Sequence, residues 1–167
     1  MQDRCGTEAM KPEYRVLLLA GILAIVALWP SKAVMWMTSD SVNYLSTAEN
    51  LVKHGSLANF SGYVERMHPP GYSVVLAPFL ALAGNYRDAA LIVNWLSLVA
   101  MAFFSFLILK EMTGGQGWRQ QIAALSVIAV PAVIAFANAA LSETLFSAEV
   151  LMTAWVFLKL AKHGQDG

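Results

Sequence analysis

A polar run at residues 40–72 lies between two strongly apolar stretches, and it holds most of the residues that could do chemistry. It gathers Asp40, Glu49, Lys53, Glu65 and Arg66 with two of the three histidines, His54 and His68. Asp40 follows the first apolar run directly. A carboxylate there can take a proton as a general base, or it can complement a helix N-terminus as a cap. Arg66 and His68 precede Pro69-Pro70-Gly71. Two prolines fix the backbone and a glycine lets it turn sharply, so this cationic corner suits a phosphate. It suits an anchor at the membrane interface equally well. His54 ends a helical pattern, where the helix dipole favours a cation. Glu143 stands at the head of the last apolar run, and Glu149 lies six residues on, about 9 Å deeper along a helix. A carboxylate inside a bilayer must face protein or water. Glu149 is therefore either functional or protonated and hydrogen-bonded between helices. No P-loop, dinucleotide fingerprint, HExxH or catalytic-serine motif is present.

The elements that position these residues belong to a membrane. Of the 167 residues, 57% are hydrophobic and 13% charged, whereas a soluble domain carries about 25% charged residues. Eleven cations balance eleven anions, so bulk charge offers nothing to a nucleic acid. Cys5 is the single cysteine, which excludes an internal disulfide and a CxxC metal site. The expected fold is all-α and integral to the membrane, with about four transmembrane helices and with amphipathic and interfacial helices in a long first external loop.

Residues 1–15 form a cytoplasmic tail, and a membrane domain fills 16–161. Spans are expected at 16–37, 89–109, 120–142 and 144–161, with an external loop at 38–88. The first span holds Lys32, snorkelling, and places Trp29 and Trp36 in the interfacial belt. Its competing reading is a signal peptide with Ser31-Lys32-Ala33 near a cleavage site. In the loop, residues 39–55 read as an amphipathic helix capped by Ser39, Asp40 or Ser41 and closed by Gly55. Val42, Leu45, Ala48 and Leu51/Val52 form its apolar stripe. Residues 72–86 are apolar but short, with Pro78 inside, and read as interfacial or re-entrant. Pro131 is expected to kink the third span. Asn94 and Asn138 are expected to hydrogen-bond between helices. Residues 162–167 make a polar end, expected to be a truncation.

Four crossings put both termini on one side. With the N-terminus inside, seven basic residues are cytoplasmic (Arg4, Lys11, Arg15, Lys110, Arg119, Lys159, Lys162) and four are external (Lys32, Lys53, Arg66, Arg87). The positive-inside rule selects that orientation, which puts Asp40, His68 and Glu143 outside.

Taken in order, several pieces resemble the polyprenyl-phosphate-sugar-dependent membrane glycosyltransferases, the C-type superfold that includes protein O-mannosyltransferases and the lipid A aminoarabinose transferase. They are Ser39-Asp40-Ser41-Val42-Asn43-Tyr44, then Ala48 to Gly55, His68-Pro69-Pro70-Gly71-Tyr72, Ala77-Pro78-Phe79-Leu80, Pro131 and Ser142-Glu143-Thr144-Leu145-Phe146. The resemblance implies sugar transfer from a polyprenyl-phosphate donor to a lipid, glycan or protein acceptor on the outer face of a bacterial plasma membrane. It implies Asp40 as catalytic base and Tyr44, Arg66, His68, Tyr72 and Glu143 as substrate-binding residues. No cofactor or metal ligand set is implied, a divalent metal being left open, and no nucleic acid is involved. Members carry further membrane helices, so the chain corresponds to their N-terminal part. Two other classes fit the same residues. One is a non-catalytic module binding a lipid or partner, and the other a transporter fragment using Glu149.

Overall fold

The computed structural model describes residues 10–64 and 68–163. Among these the regular elements are all helices, joined by two isolated backbone bridges. Helix α1 (Pro12–Leu28) continues into a 3₁₀ turn, Trp29–Lys32, and the two together make a span of 21 residues. Then follow α2 (Ser39–His54), α3 (Gly71–Ala83), α4 (Tyr86–Thr113), α5 (Trp118–Leu125), α6 (Pro131–Ala137) and α7 (Glu143–His163). A 3₁₀ turn, Ser126–Ala129, joins α5 to α6. Three helices are long and apolar enough to cross a membrane, or four if the bent pair α5–α6 is one span. The chain is an all-α membrane protein.

Contacts at the helix ends order the bundle. Lys110 at the end of α4 reaches Glu13 at the start of α1, 2.6 Å away. Glu111 meets Lys159 at 3.5 Å and Lys162 at 3.2 Å, both near the end of α7. The start of α1, the end of α4 and the end of α7 therefore share one end of the bundle. At the other end Asn138, just past α6, donates to the Ala27 carbonyl at 3.1 Å and accepts from Ser31. The pair α5–α6 thus runs from the end of α4 to the far end of α1, which is the course of a fourth crossing. Small residues let the helices approach: Ala20, Gly21 and Ala24 are buried on α1, Ala102 on α4 and Ala148 on α7. Trp95 closes the α1–α4 contact by donating its indole N–H to the Gly21 carbonyl at 3.0 Å.

The elements differ from expectation in four places. The first span starts at Pro12 and stops at Lys32, not Met37. Pro30 lacks an amide proton, the last turn tightens to 3₁₀, and the chain beyond runs extended. There Trp36 donates to the Asn138 carbonyl at 3.1 Å, and its own carbonyl accepts from Ala140 at 3.4 Å. The third span bends at Pro131 as expected, by 55° between Trp118–Ala129 and α6, but the helix is also interrupted there, and it ends early: residues 138–142 are not helical. The cap of α2 is Thr38, whose hydroxyl accepts from the Ser41 amide at 3.2 Å while Ser41 Oγ accepts from the Thr38 amide at 3.0 Å. Asp40 is thus not the cap, and it lies in the first turn. The buried face of α2 is also rotated from the apolar stripe. Leu45 and Ala48 of the stripe are buried as expected, but Val42 and Val52 are exposed and Ser41, Tyr44 and Thr47 are buried beside them.

The reason for the rotation is the short helix α3. At 13 residues it is about 20 Å long, too short for the ~30 Å hydrocarbon core. It packs between α2 and α4 instead. Tyr44, Leu45, Tyr72, Leu76, Leu80 and Val93 share one core there. Burying a side chain such as Leu76 is worth about 1.5–3 kcal/mol, enough to set the roll of α2. Gly55 ends α2 and Gly84 ends α3, with φ of 65° and 70°.

Candidate functional site

The residues of interest meet where α2, α3 and the start of α7 converge, at the end of the bundle opposite the start of α1 and the end of α7. Asp40 and Tyr44 are one helical turn apart and so share a face of α2. Across from them, His68 and Tyr72 flank the Pro69-Pro70 entry to α3. His68 Nε2 lies 3.2 Å from Asp40 Oδ1. The Tyr44 ring meets the His68 ring edge-on at 5.5 Å and the Tyr72 ring edge-on at 5.2 Å. Such aromatic pairs add about 0.5–1.5 kcal/mol beyond burial.

Tyr44 is the hub. Its hydroxyl is 3.1 Å from Ser142 Oγ, and its backbone carbonyl accepts from Ser73 Oγ at 3.0 Å. The first bond fastens α2 to the entry of α7 and the second fastens it to α3. Ser142 is placed in turn by the non-helical segment after α6. Asn94, fully buried on α4, donates to the carbonyls of Ala137 and Ala139, both at 2.8 Å. Its own oxygen accepts from Thr144 Oγ1 at 3.2 Å. Inside a membrane an open backbone segment must be satisfied by protein. Asn94 and the Trp36 bridge supply those bonds.

A cleft of about 130 Å³ opens beside this hub, lined by Tyr44, Tyr72, Ser142, Leu145, Phe146 and Glu149 among others. Asp40 is half-exposed at the neighbouring surface. Ser39 Oγ and His68 Nε2 both reach Asp40 Oδ1, each at 3.2 Å. Oδ2 is the oxygen left to accept a proton. Burial, together with the negative charge of Glu143, pushes the Tyr72 phenol above its ordinary range, so it stays protonated. Farther along α2, Glu49 pairs with Lys53 at 2.5 Å and accepts from the Tyr86 hydroxyl. These two hydrogen bonds hold its carboxyl below the usual range.

Of the residues singled out in the sequence, Asp40, Tyr44, His68 and Tyr72 come together. Glu143 is exposed in the first turn of α7 and acts on Tyr72 through its charge, while Glu149, one and a half turns on, lines the cleft. Arg66 lies outside the described residues. Gly71 shows no left-handed backbone, and a Cβ there would meet nothing within 4 Å. The corner is made by the prolines, not by glycine flexibility. Ser73 and Ser142 were not picked out as site residues. Each is a lone hydroxyl at the edge of an apolar run, where a cap or a solvated surface is the ordinary reading. Among the described residues no group of three or more His, Cys, Asp or Glu is placed to hold a metal ion.

Fold and site together define a helical membrane protein with a carboxylate–imidazole pair beside an aromatic cleft, at one end of its bundle. No protein-family model, curated protein or solved structure matches the chain.

Proposed function

We propose that the chain is a membrane glycosyltransferase unit that passes a sugar from a polyprenyl-phosphate donor to an acceptor hydroxyl, with Asp40 as general base. The observation that supports this most is the Asp40–His68 contact at 3.2 Å beside the Tyr44–Tyr72 cleft. A base, an orienting imidazole and an aromatic wall drawn from segments far apart in sequence meet at one end of a membrane bundle. A lipid-linked donor and a water-side acceptor can both reach such a place.

In the reaction the acceptor oxygen attacks the anomeric carbon and the bond from that carbon to the phosphate oxygen breaks. The polyprenyl phosphate leaves with the electron pair, and the acceptor proton passes to Asp40 Oδ2. His68 holds Oδ1 and so fixes which oxygen faces the acceptor. Arg66, two positions before His68 in the chain, is the cation assigned to the phosphate. The distribution of basic residues supports an active-site end that faces outward, in a bacterial plasma membrane.

The test is release of polyprenyl phosphate from undecaprenyl-phosphoryl sugars by the chain in liposomes, in the presence of an acceptor extract from cell envelope. Release that depends on Asp40 supports the enzyme. Donor binding without release, in wild type and Asp40→Asn alike, would instead make this a lipid-binding module.

A further inference from the structure

One polar group in the cleft has no part in the proton transfer just described. Tyr72 is 2% exposed, and its hydroxyl is buried with no hydrogen-bond partner among the described residues. Buried hydroxyls are nearly always paired, because leaving one unmade forfeits its hydration. Tyr72 lines the cleft, and Ser142 and Glu149 line it from the facing side. Glu149 belongs to an otherwise apolar stretch of α7, where a carboxylate must face protein or water. It is exposed and borders both this cleft and the open groove along Phe146, Val150, Thr153 and Phe157. A buried donor with nothing to bind and a carboxylate in a membrane helix thus border the same small space.

We infer that the cleft between α3 and α7 is a hydroxyl-reading subsite, in which Tyr72 donates to, and Glu149 accepts from, the hydroxyl groups of the donor's sugar. The inference rests on the glycosyltransferase reading and names what this part of the site recognises. Other occupants fit less well. A phosphate would sit against the carboxylate of Glu149 with Glu143 close by, a like-charge arrangement that disfavours it. A prenyl chain would leave the Tyr72 hydroxyl unsatisfied. A cation would pair with Glu149 and leave the Tyr72 proton without an acceptor. A neutral polyol satisfies both, since each hydroxyl donates and accepts at once. The volume of about 130 Å³ admits the edge of a sugar ring, well above the 10–15 Å³ that one water needs.

The experiment compares farnesyl phosphate with farnesyl phosphate bearing mannose, glucose or arabinose, binding to the full chain in lipid nanodiscs. Wild type is expected to bind at least one sugar-bearing probe about tenfold more tightly than farnesyl phosphate, the scale of one hydrogen bond to a charged group. Tyr72→Phe and Glu149→Gln should each erase most of that preference while leaving farnesyl phosphate affinity in place, which also reports that the variants are folded. A preference that survives in both variants overturns the subsite and leaves the donor reading standing. Wild type binding farnesyl phosphate but showing no preference for any sugar likewise overturns the subsite alone. Wild type that binds none of the probes overturns the donor reading, and the subsite falls with it.

Discussion

At the scale of single residues, the decisive fact about Asp40 is that it is not the helix cap. Thr38 performs that task through its bonds with Ser41. Asp40→Asn therefore removes basicity without removing the cap, whose loss would cost about 1 kcal/mol. On the proposed glycosyltransferase reading, the variant should stay folded, bind the lipid-linked donor, and transfer sugar at least about 100-fold more slowly, the lower bound for losing a general base. Near-normal release of polyprenyl phosphate would end the assignment and move attention to Glu143. Glu49 carries a prediction of different sign and place. Its carboxyl is held low by Lys53 and Tyr86, so its contribution to stability is present above the ordinary carboxylate range and lost as pH falls through it. The tie between α2 and the start of α4 should loosen in acid. Hydrogen-exchange protection in residues 46–54, taken relative to the intrinsic exchange rate at each pH, should fall as pH drops below the ordinary carboxylate range, and Glu49→Gln should abolish that loss. A pH-dependent loss that persists in the variant would place the acid sensitivity elsewhere.

At the scale of elements, what could be read from the sequence and what could not divide along local and non-local causes. The helix over residues 39–54 and its closing glycine were legible because periodicity and a left-handed cap are local signals. The roll of that helix was not, since the stripe through Val42 and Val52 ignores α3, which arrives from beyond the loop and selects Tyr44. The broken third span was hidden for a related reason. An uncharged run with one proline reads as a kinked helix unless something is known to satisfy the open backbone, and Asn94 lies more than 40 residues earlier in the chain. That asparagine gives the sharpest prediction at this scale. Asn94→Leu leaves two buried carbonyls without partners, a loss of about 2–4 kcal/mol, and should lower the apparent melting temperature in detergent. The glycines divide equally clearly. Gly55 has a φ of 65°, so Gly55→Ala should cost about 1 kcal/mol or more. Gly71→Ala should be neutral or slightly stabilising, because that backbone suits any residue and alanine restricts the unfolded chain. Equal losses in the two variants would contradict the backbone geometry.

At the scale of the whole molecule, the contacts of Glu13 with Lys110 and of Glu111 with Lys159 and Lys162 gather the start of α1 and the ends of α4 and α7. Composition alone announced a membrane protein, and the count of basic residues proposed its orientation. The ends' mutual contacts were beyond reach because they depend on pairing across the chain. The orientation is testable with Cys5 replaced and a single cysteine introduced. Ser61 is exposed in the loop turn and suits the label. Ser61→Cys should react with an impermeant thiol reagent in intact cells, and Gln116→Cys only after permeabilisation. The reverse pattern would invert the protein and put the site on the cytoplasmic face.

The bond from Tyr44 to Ser142 joins residues 98 positions apart, and this bears on the order in which the protein is made. A ribosome delivers Asp40, His68 and Tyr72 to the membrane long before it delivers the segment that fastens their hub. Until then the loop carrying Asp40 stands beside the bilayer with Tyr44 not yet fastened to the entry of α7. The hub is complete only once α7 has entered the membrane and Ser142 has closed onto Tyr44.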